Sequence, residues 1–461
     1  MKYSVITFGC RVNQADSLGF EEKLLAAGAE SVAAHTAEVV IVNTCSVTAT
    51  ADQGARQTIR RIARDNPSAR IVVTGCYATR RPDEVAALPN VVQVVSNDDK
   101  PRVLSFLTRP TAESAEHAEP RVFSAIVTSA AVDAPSGDGP CGATIEPGVA
   151  GRTAFTLRVQ TGCAEPCSYC IIPSTRGRPR SVPLQDLLRE VGRVAASGFK
   201  EVALTGVHLG SYGRDLTPAT SLIELLRALD DVGRSATLSA VAKAMADRRS
   251  PGEGWSGSRS QVLFRISSLE PMDCTREIVD LVATSPAFAP HFHLPLQHAS
   301  NRVLSAMRRP YPIEYYSALV DDIRARLPQA SIGSDIIVGF PGETDDDFEQ
   351  LVSYLEASPL THLHVFPYSD RPGTAASLMN GKVQGAAIRE RGRKVREIGQ
   401  RLTQRFHDSQ VGTTHRALTL EDGSLVVTGN YQKLRIPPGL PRNQWVVIRI
   451  TSHDDGELLR G

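Results

Sequence analysis

No stretch of this chain approaches the ~20 consecutive apolar residues that a membrane-crossing helix needs. An excess of charge is missing as well: 51 Lys and Arg face 50 Asp and Glu, a formal net charge of +1. That balance excludes a wholly basic nucleic-acid binder. It leaves room for a local basic surface, because charge can be segregated along a chain. The N-terminus, MKYSVITFGC, has one Lys and then a short β-rich run. It lacks the apolar core and small-residue cleavage site of a secretory signal, so the expected location is the cytoplasm, with no membrane partner. In a reducing compartment the eight cysteines are read as metal ligands or free thiols rather than disulfides. Hydrophobic residues make up 41% of the 461, enough for ordinary buried cores. The length suggests about two to four domains.

Residues 1–108 repeat one pattern three times. An apolar strand ends in a cysteine, and a helical stretch follows. The strands are Tyr3–Phe8 before Cys10, Val39–Val42 before Cys45 and Ile71–Thr74 before Cys76; the helices read Ser17–Ala27 and Gln53–Arg64. Strands alternating with helices imply a parallel sheet. Loops at the carboxyl ends of such strands form the ligand crevice, so the three cysteines can converge from distant positions.

Residues 109–150 are rich in Ala, Ser, Pro and Gly and read as a linker, with one short strand at Val122–Val127 and a spare thiol at Cys141. Residues 151–378 alternate again. Expected strands are Ala154–Gln160, Glu201–Thr205, Val262–Ser267, His293–Leu296, Ser334–Val338 and His362–Phe366, with helices such as Leu184–Ala196 and Tyr315–Leu327 between them. Six such repeats predict an α/β partial (β/α)6 barrel with its chemistry at the carboxyl ends of the strands. The Gly-, Ser- and Arg-rich stretch Ser235–Ser260 reads as an insertion. Residues 379–461 open with a polar helix over 379–410, in which Arg389–Arg405 holds seven Lys or Arg and two Glu. Short runs at Arg416–Leu420, Ser424–Thr428, Leu434–Ile436 and Trp445–Ile450 then predict a small β-barrel.

The strongest local motif is Cys163-Ala-Glu-Pro-Cys167-Ser-Tyr-Cys170, directly after a strand. Three thiolates on one loop can bind three corners of a four-iron cluster and leave the fourth iron open. A zinc knuckle would want a fourth Cys or His nearby, and none follows Cys170 within the next 30 residues. Cys10, Cys45 and Cys76 form a second three-thiol set. Each alone could be a core cysteine; three at equivalent strand ends read as metal ligands.

The Cx3Cx2C spacing resembles the radical S-adenosylmethionine superfamily, and Tyr169 stands where that superfamily has an aromatic residue before the third cysteine. TFGCRVNQADS, VNTCSVT and TGCYA in the first domain are similar to the methylthiotransferases. So are GCAEPCSYCIIPSTRGRPRS, LPLQHASNRVLSAMRR, DIIVGFPGET and HVFPYSDRPGT further on. The C-terminal barrel resembles a TRAM domain, a small RNA-binding barrel. The resemblance implies two [4Fe-4S] clusters, one on each cysteine set, and S-adenosyl-L-methionine as cofactor. It implies one-electron cleavage of that cofactor to a 5′-deoxyadenosyl radical at the central cluster. A second molecule methylates a sulfur held at the first. Within the family, LTGVHLGSYG at Leu204–Gly213 is closest to the branch that methylthiolates C2 of N6-threonylcarbamoyladenosine at position 37 of tRNA. There His208, Ser211 and Tyr212 are expected to meet the substrate's side group. The implied partners are the tRNA anticodon loop, a sulfur donor and an electron donor. Rival readings are methylthiolation of isopentenyladenosine or of a ribosomal-protein aspartate, and a non-catalytic iron–sulfur protein that binds RNA.

Weaker signals remain. Gly339 and Gly342 follow a strand, where they could admit the adenine of the cofactor or simply make a tight turn. Ser268, Glu270 and Gln297 lie at strand ends where ribose or methionine contacts would fall. His208, His293 and His298 are expected in polar or structural roles, because the thiolates already supply both clusters. Cys274 reads as a spare thiol. Arg56, Arg60 and Arg64 share one helix stripe, solvated or set for phosphate. The basic helix is expected to favour RNA.

Overall fold

Alternating apolar strands and amphipathic stretches fold, in a computed structural model, into parallel sheets flanked by helices. The structure describes residues 1–106, 153–234 and 262–459. The expected strand Val122–Val127, Cys141 and the insertion Ser235–Ser260 lie outside the described residues. The chain divides into two compact units. One holds the N-terminal region with residues 161–165 and 170–178; the other holds the remainder of the central region and the C-terminal region.

In the first unit, β1 (Lys2–Thr7), β2 (Glu30–Ser31), β3 (Val39–Thr44), β4 (Arg70–Gly75) and β5 (Val91–Val95) form a parallel sheet in the order β2-β1-β3-β4-β5. β3 reads VVIVNT and is buried along its whole length, as a central parallel strand covered on both faces must be. Val40 and Val42 join Ala55, Ile59 and Ile62 of the helix Ala49–Asp65 on one face. Val39 and Ile41 join Phe20 and Leu24 of the helix Arg11–Ala26 on the other. The two-residue strand period and the helix spacing i, i+4, i+7 produce these layers. The second helix starts at Thr48, whose side chain accepts from the Ala51 N–H. The helix expected from Ser17 begins six residues earlier, at Arg11, with Cys10 as its N-cap. β5 was not expected from the pattern.

The next strands are β6 (Phe155–Arg158), β7 (Gln160–Thr161), β8 (Arg180–Ser181), β9 (Glu201–Thr205), β10 (Leu263–Ile266), β11 (His291–His293), β12 (Ser331–Val338) and β13 (His362–Pro367). In the second unit β6, β9 and β10 pair in parallel, as do β11, β12 and β13, and an isolated parallel bridge from Ser268 to His293 links the two triplets. That is a six-stranded partial barrel. The strand expected at His293–Leu296 instead occupies His291–His293, because Pro295 has no N–H to continue the ladder.

The C-terminal helix runs over Gly385–Gln410 rather than from residue 379. It is followed by β14 (Thr414–Leu420), β15 (Leu425–Thr428), β16 (Lys433–Arg435), β17 (Trp445–Ile450) and β18 (Gly456–Leu458), an antiparallel sheet in the order β16-β15-β14-β17-β18. The Arg435 N–H donates to the Asp454 carbonyl at 2.6 Å, so the sheet curls until its two edges meet. Ala417, Val426, Leu434, Ile448 and Ile450 fill the interior. This is a small barrel of the TRAM-like kind. Its β15–β16 turn meets the partial barrel: Arg265 donates to the Gly429 carbonyl at 2.9 Å, and Asn430 to the Gln329 carbonyl at 2.9 Å. Among the described residues no helix is long and apolar enough to cross a membrane.

Candidate active site

The first three cysteines sit at successive strand ends. Cys10 caps the helix after β1, Cys45 follows β3, and Cys76 opens the helix after β4. Cys45 and Cys76 are buried and Cys10 is exposed. Burial pushes the Cys45 thiol up to about 11, and the neighbouring Cys76 and Cys10 push in the same direction, so the three sulfurs lie within electrostatic reach of one another. Gly9 lets them approach: a Cβ there would lie 2.5 Å from Cys45 Cβ and 2.7 Å from its Sγ.

The surroundings of this set are cationic. The Arg176 guanidinium is buried, hydrogen-bonds Cys76 and lies in the field of Cys10. Asn97 Nδ2 donates toward Cys76 Sγ at 3.7 Å. Arg176 is held by Asn13 and lies 3.8 Å from Asp16, which also pairs with Lys100 at 2.7 Å. Arg176 and Lys100 share the one carboxylate of Asp16, so positive charge stands beside Cys76, while burial works against the Cys45 thiolate. The donor set suits a cluster that needs deprotonated sulfur. Nothing in the cysteine spacing pointed to Arg176, Asn97 or Lys100.

In the central loop, the Cys163 N–H donates to the Gly177 carbonyl at 3.0 Å, and the Glu165 N–H points at Cys163 Sγ at 3.4 Å. Cys167 faces Arg309, whose Nη1 lies 3.5 Å from its sulfur. Arg309 is buried and ion-paired with Glu270, and it also donates to Tyr311 Oη at 2.9 Å. The Ser168 N–H donates to the Met307 carbonyl at 3.1 Å, and Tyr169 packs against Val303, Met307 and Phe340. Each cysteine set therefore has one buried arginine against a sulfur. Sequence reasoning missed Arg309; its motif, LSAMRRPYP, carried no spacing signal.

The other expected residues separate by position. Ser268 follows β10 and is exposed. Gln297 follows β11 with φ +72°, a rare conformation for a residue with a side chain. Its N–H donates to the Asp335 carbonyl at 2.8 Å. Gly339 and Gly342 follow β12 with φ +79° and +83°. Glu343 Oε2 accepts from both Gly339 N–H and Phe340 N–H, so the turn is closed by a carboxylate. Glu270 is committed to Arg309, a role the sequence did not suggest. His208 is buried 3.4 Å from Asp273. Tyr212 is fully buried with its hydroxyl on the Val182 carbonyl, and Ser211 bonds Gln160 at 3.2 Å. In this structure these side chains hold their loop together. His298 is fully buried beside Glu343, and Cys274 is a buried thiol pushed up to about 12.

The basic stripes are partly spent on the fold itself. Arg56 bonds Tyr77 and Glu84, and Arg64 pairs with Asp65. On the C-terminal helix, Arg391 pairs with Glu343 and Asp345, Arg393 with Glu390 and Glu397, and Arg401 with Glu356. Among the described residues Arg389 and Arg396 have no ion-pair partner.

Among the described residues, no three Cys ligand atoms lie within 4.8 Å of one another. A single bound ion would need such crowding, whereas a four-iron cluster takes each thiolate on a different iron.

Residues 2–97 match a family described as uncharacterized protein family UPF0004, and residues 157–355 match the radical SAM superfamily. Cys163, Cys167 and Cys170 lie within the second match and are the ligand set of its cluster and S-adenosylmethionine site. The chain is 36% identical to the threonylcarbamoyladenosine tRNA methylthiotransferase MtaB of Aquifex aeolicus, over 94% of this chain and 95% of that protein. It is 30% identical to the tRNA-2-methylthio-N(6)-dimethylallyladenosine synthase of Corynebacterium efficiens, over 91% and 75%. Among solved structures, a radical S-adenosylmethionine methyltransferase, TsrM, from Kitasatospora setae superposes with a TM-score of 0.51 at 16% identity, covering 82% of this chain and 74% of that one. At that identity the likeness speaks to the fold alone.

Proposed function

The chain belongs to the radical S-adenosylmethionine methylthiotransferases, and from that premise we propose that it methylthiolates C2 of N6-threonylcarbamoyladenosine at position 37 of tRNA. One observation carries the choice of substrate: the near-full-length likeness to the Aquifex protein exceeds that to the dimethylallyladenosine synthase, 36% against 30%. The enzyme acts in the cytoplasm, where its cysteines stay reduced.

Cys163, Cys167 and Cys170 hold one [4Fe-4S] cluster, and Cys10, Cys45 and Cys76 hold a second. When bound, the clusters and S-adenosylmethionine supply one-electron cleavage and a transferable methyl group. The protein's part is positioning. Tyr169, Ser268, Gln297, Gly339 and Gly342 surround the cofactor at the carboxyl ends of the strands, and Glu270 contributes by fixing Arg309 beside Cys167. Arg176 and Asn97 place hydrogen-bond donors against the Cys76 sulfur. Residues 1–108 handle sulfur, 151–378 generate the radical and 379–461 grip the tRNA. An unpaired loop nucleotide suits such a site, because its base can be splayed out of the stack. The sulfur donor and electron donor are separate partners.

The test gives purified enzyme three matched tRNAs: unmodified, isopentenylated and threonylcarbamoylated. Methylthiolation confined to the third is expected. A pocket built for a carboxylate, a hydroxyl and a urea leaves polar groups unpaired with an isopentenyl chain, which can discriminate by about 10⁴-fold. Efficient reaction of the isopentenylated tRNA with none of the threonylcarbamoylated one would overturn the substrate assignment.

A further inference from the structure

A separate group of ligating side chains, none of them a cysteine, lies on β11, β12 and β13. His293 Nε2 is 2.9 Å from Asp335 Oδ1, and His364 Nδ1 is 3.1 Å from the same oxygen. One ligand atom from each of the three lies within 4.8 Å of the others. Strand register produces the grouping. Asp335 pairs directly with His364, and His293 pairs with Gly333, two residues earlier on the same face. Gly333 has no side chain to intrude; a Cβ there would lie 2.0 Å from His362 Nε2. The opposite face of these strands carries Val338 and Leu363 against Gly392 and Gly399 of the C-terminal helix. The histidines and the aspartate therefore stand on the face turned away from that helix, the inner face of the partial barrel.

The chemistry of the set is that of a metal site. Two imidazoles and one carboxylate are a recurrent ligand set for zinc and neighbouring divalent transition ions. Bond lengths of about 2.0–2.1 Å would put tetrahedral ligands about 3.3 Å apart, so the present 2.9 and 3.1 Å need to widen only slightly. Among the described residues Asp335 has no Lys or Arg partner; its ion-pair contacts are the two imidazoles. The His364 side chain is 58% exposed, so the cluster opens on one side. An ion can enter there, and a fourth coordination position would remain free. We propose that His293, Asp335 and His364 bind one divalent transition-metal ion of the zinc, cobalt or nickel kind, independently of the iron–sulfur clusters.

The probe is zinc. Cluster-loaded enzyme is incubated anaerobically with Zn²⁺ and desalted, and zinc and iron are counted by mass spectrometry. The expected result is about one zinc retained per chain, lost in both His364→Ala and Asp335→Asn, with iron unchanged in all three proteins. His364 is half exposed and Asn preserves the shape of Asp335, so the two variants guard each other against misfolding. X-ray absorption at the zinc edge should show nitrogen and oxygen ligands with imidazole outer-shell scattering. Equal zinc in wild type and variants, no retained zinc in the wild type, or sulfur in its first shell would each overturn the proposal.

Discussion

Replacing Gly9 by alanine should disable the first cysteine set far more than its size suggests, and Gly28 supplies the matched control. Both glycines have left-handed backbones, with φ +87° and +74°. Alanine in that conformation costs about 1–2 kcal/mol wherever it occurs. At Gly28 nothing lies within 4 Å of a new Cβ, so that is the whole penalty. At Gly9 the new methyl would meet Cys45 Cβ at 2.5 Å and Sγ at 2.7 Å, and Cys45 is buried. Overpacking of this kind adds about 1–3 kcal/mol. Gly9→Ala should thus cost about 2–5 kcal/mol in denaturant titration, against about 1–2 for Gly28→Ala. The clash also falls on the Cys45 sulfur itself, one of the three of the set. Anaerobic reconstitution should therefore give about four iron per chain in Gly9→Ala and about eight in Gly28→Ala. Equal stability and equal iron in the two variants would refute the claim that the backbone at Gly9 sets the spacing of these sulfurs.

Removing the buried guanidinium with Arg309→Met should cost about 2–4 kcal/mol, since Glu270 is left unpaired but partly exposed; adding Glu270→Gln should recover much of that loss in a double-mutant cycle. A cost no greater than that of a surface substitution would refute it. His298 is fully buried, and burial lowers its pKa from 6.5 to about 4. Between those values the unfolded chain takes up a proton that the folded chain refuses, so stability falls as pH drops from about 6.5 to about 4, by about 3 kcal/mol. In the apoprotein, His298→Gln should lose less stability than wild type between about pH 7.5 and about pH 4.5; identical losses would count against it. Finally, Arg389→Ser with Arg396→Ser should weaken tRNA binding and shallow its logarithmic salt slope by up to about 2, whereas an unchanged slope would show that these side chains miss the phosphates.

The sequence by itself determined what depends on neighbours along the chain. Short apolar runs became strands, and for Glu201–Thr205 and Trp445–Ile450 the expected and observed limits coincide. The helix Leu184–Ala196 was equally legible, because its amphipathic stripe is written in consecutive residues. The central cysteine set was legible too, since three thiols on one loop announce a ligand set. Tertiary structure alone decided which charges face those sulfurs. Arg309 reaches Cys167 from 142 positions away, and Glu270 neutralises it from a third segment. It decided that Tyr212 and Ser211 are spent on holding a loop, and that Arg391, Arg393 and Arg401 are paired within the fold. It decided as well that His293, Asp335 and His364 meet, which follows from the register of β11, β12 and β13. A one-residue slip would turn His364 to the opposite face. The pattern of a strand says which residues share a face; only pairing says what they face across the sheet.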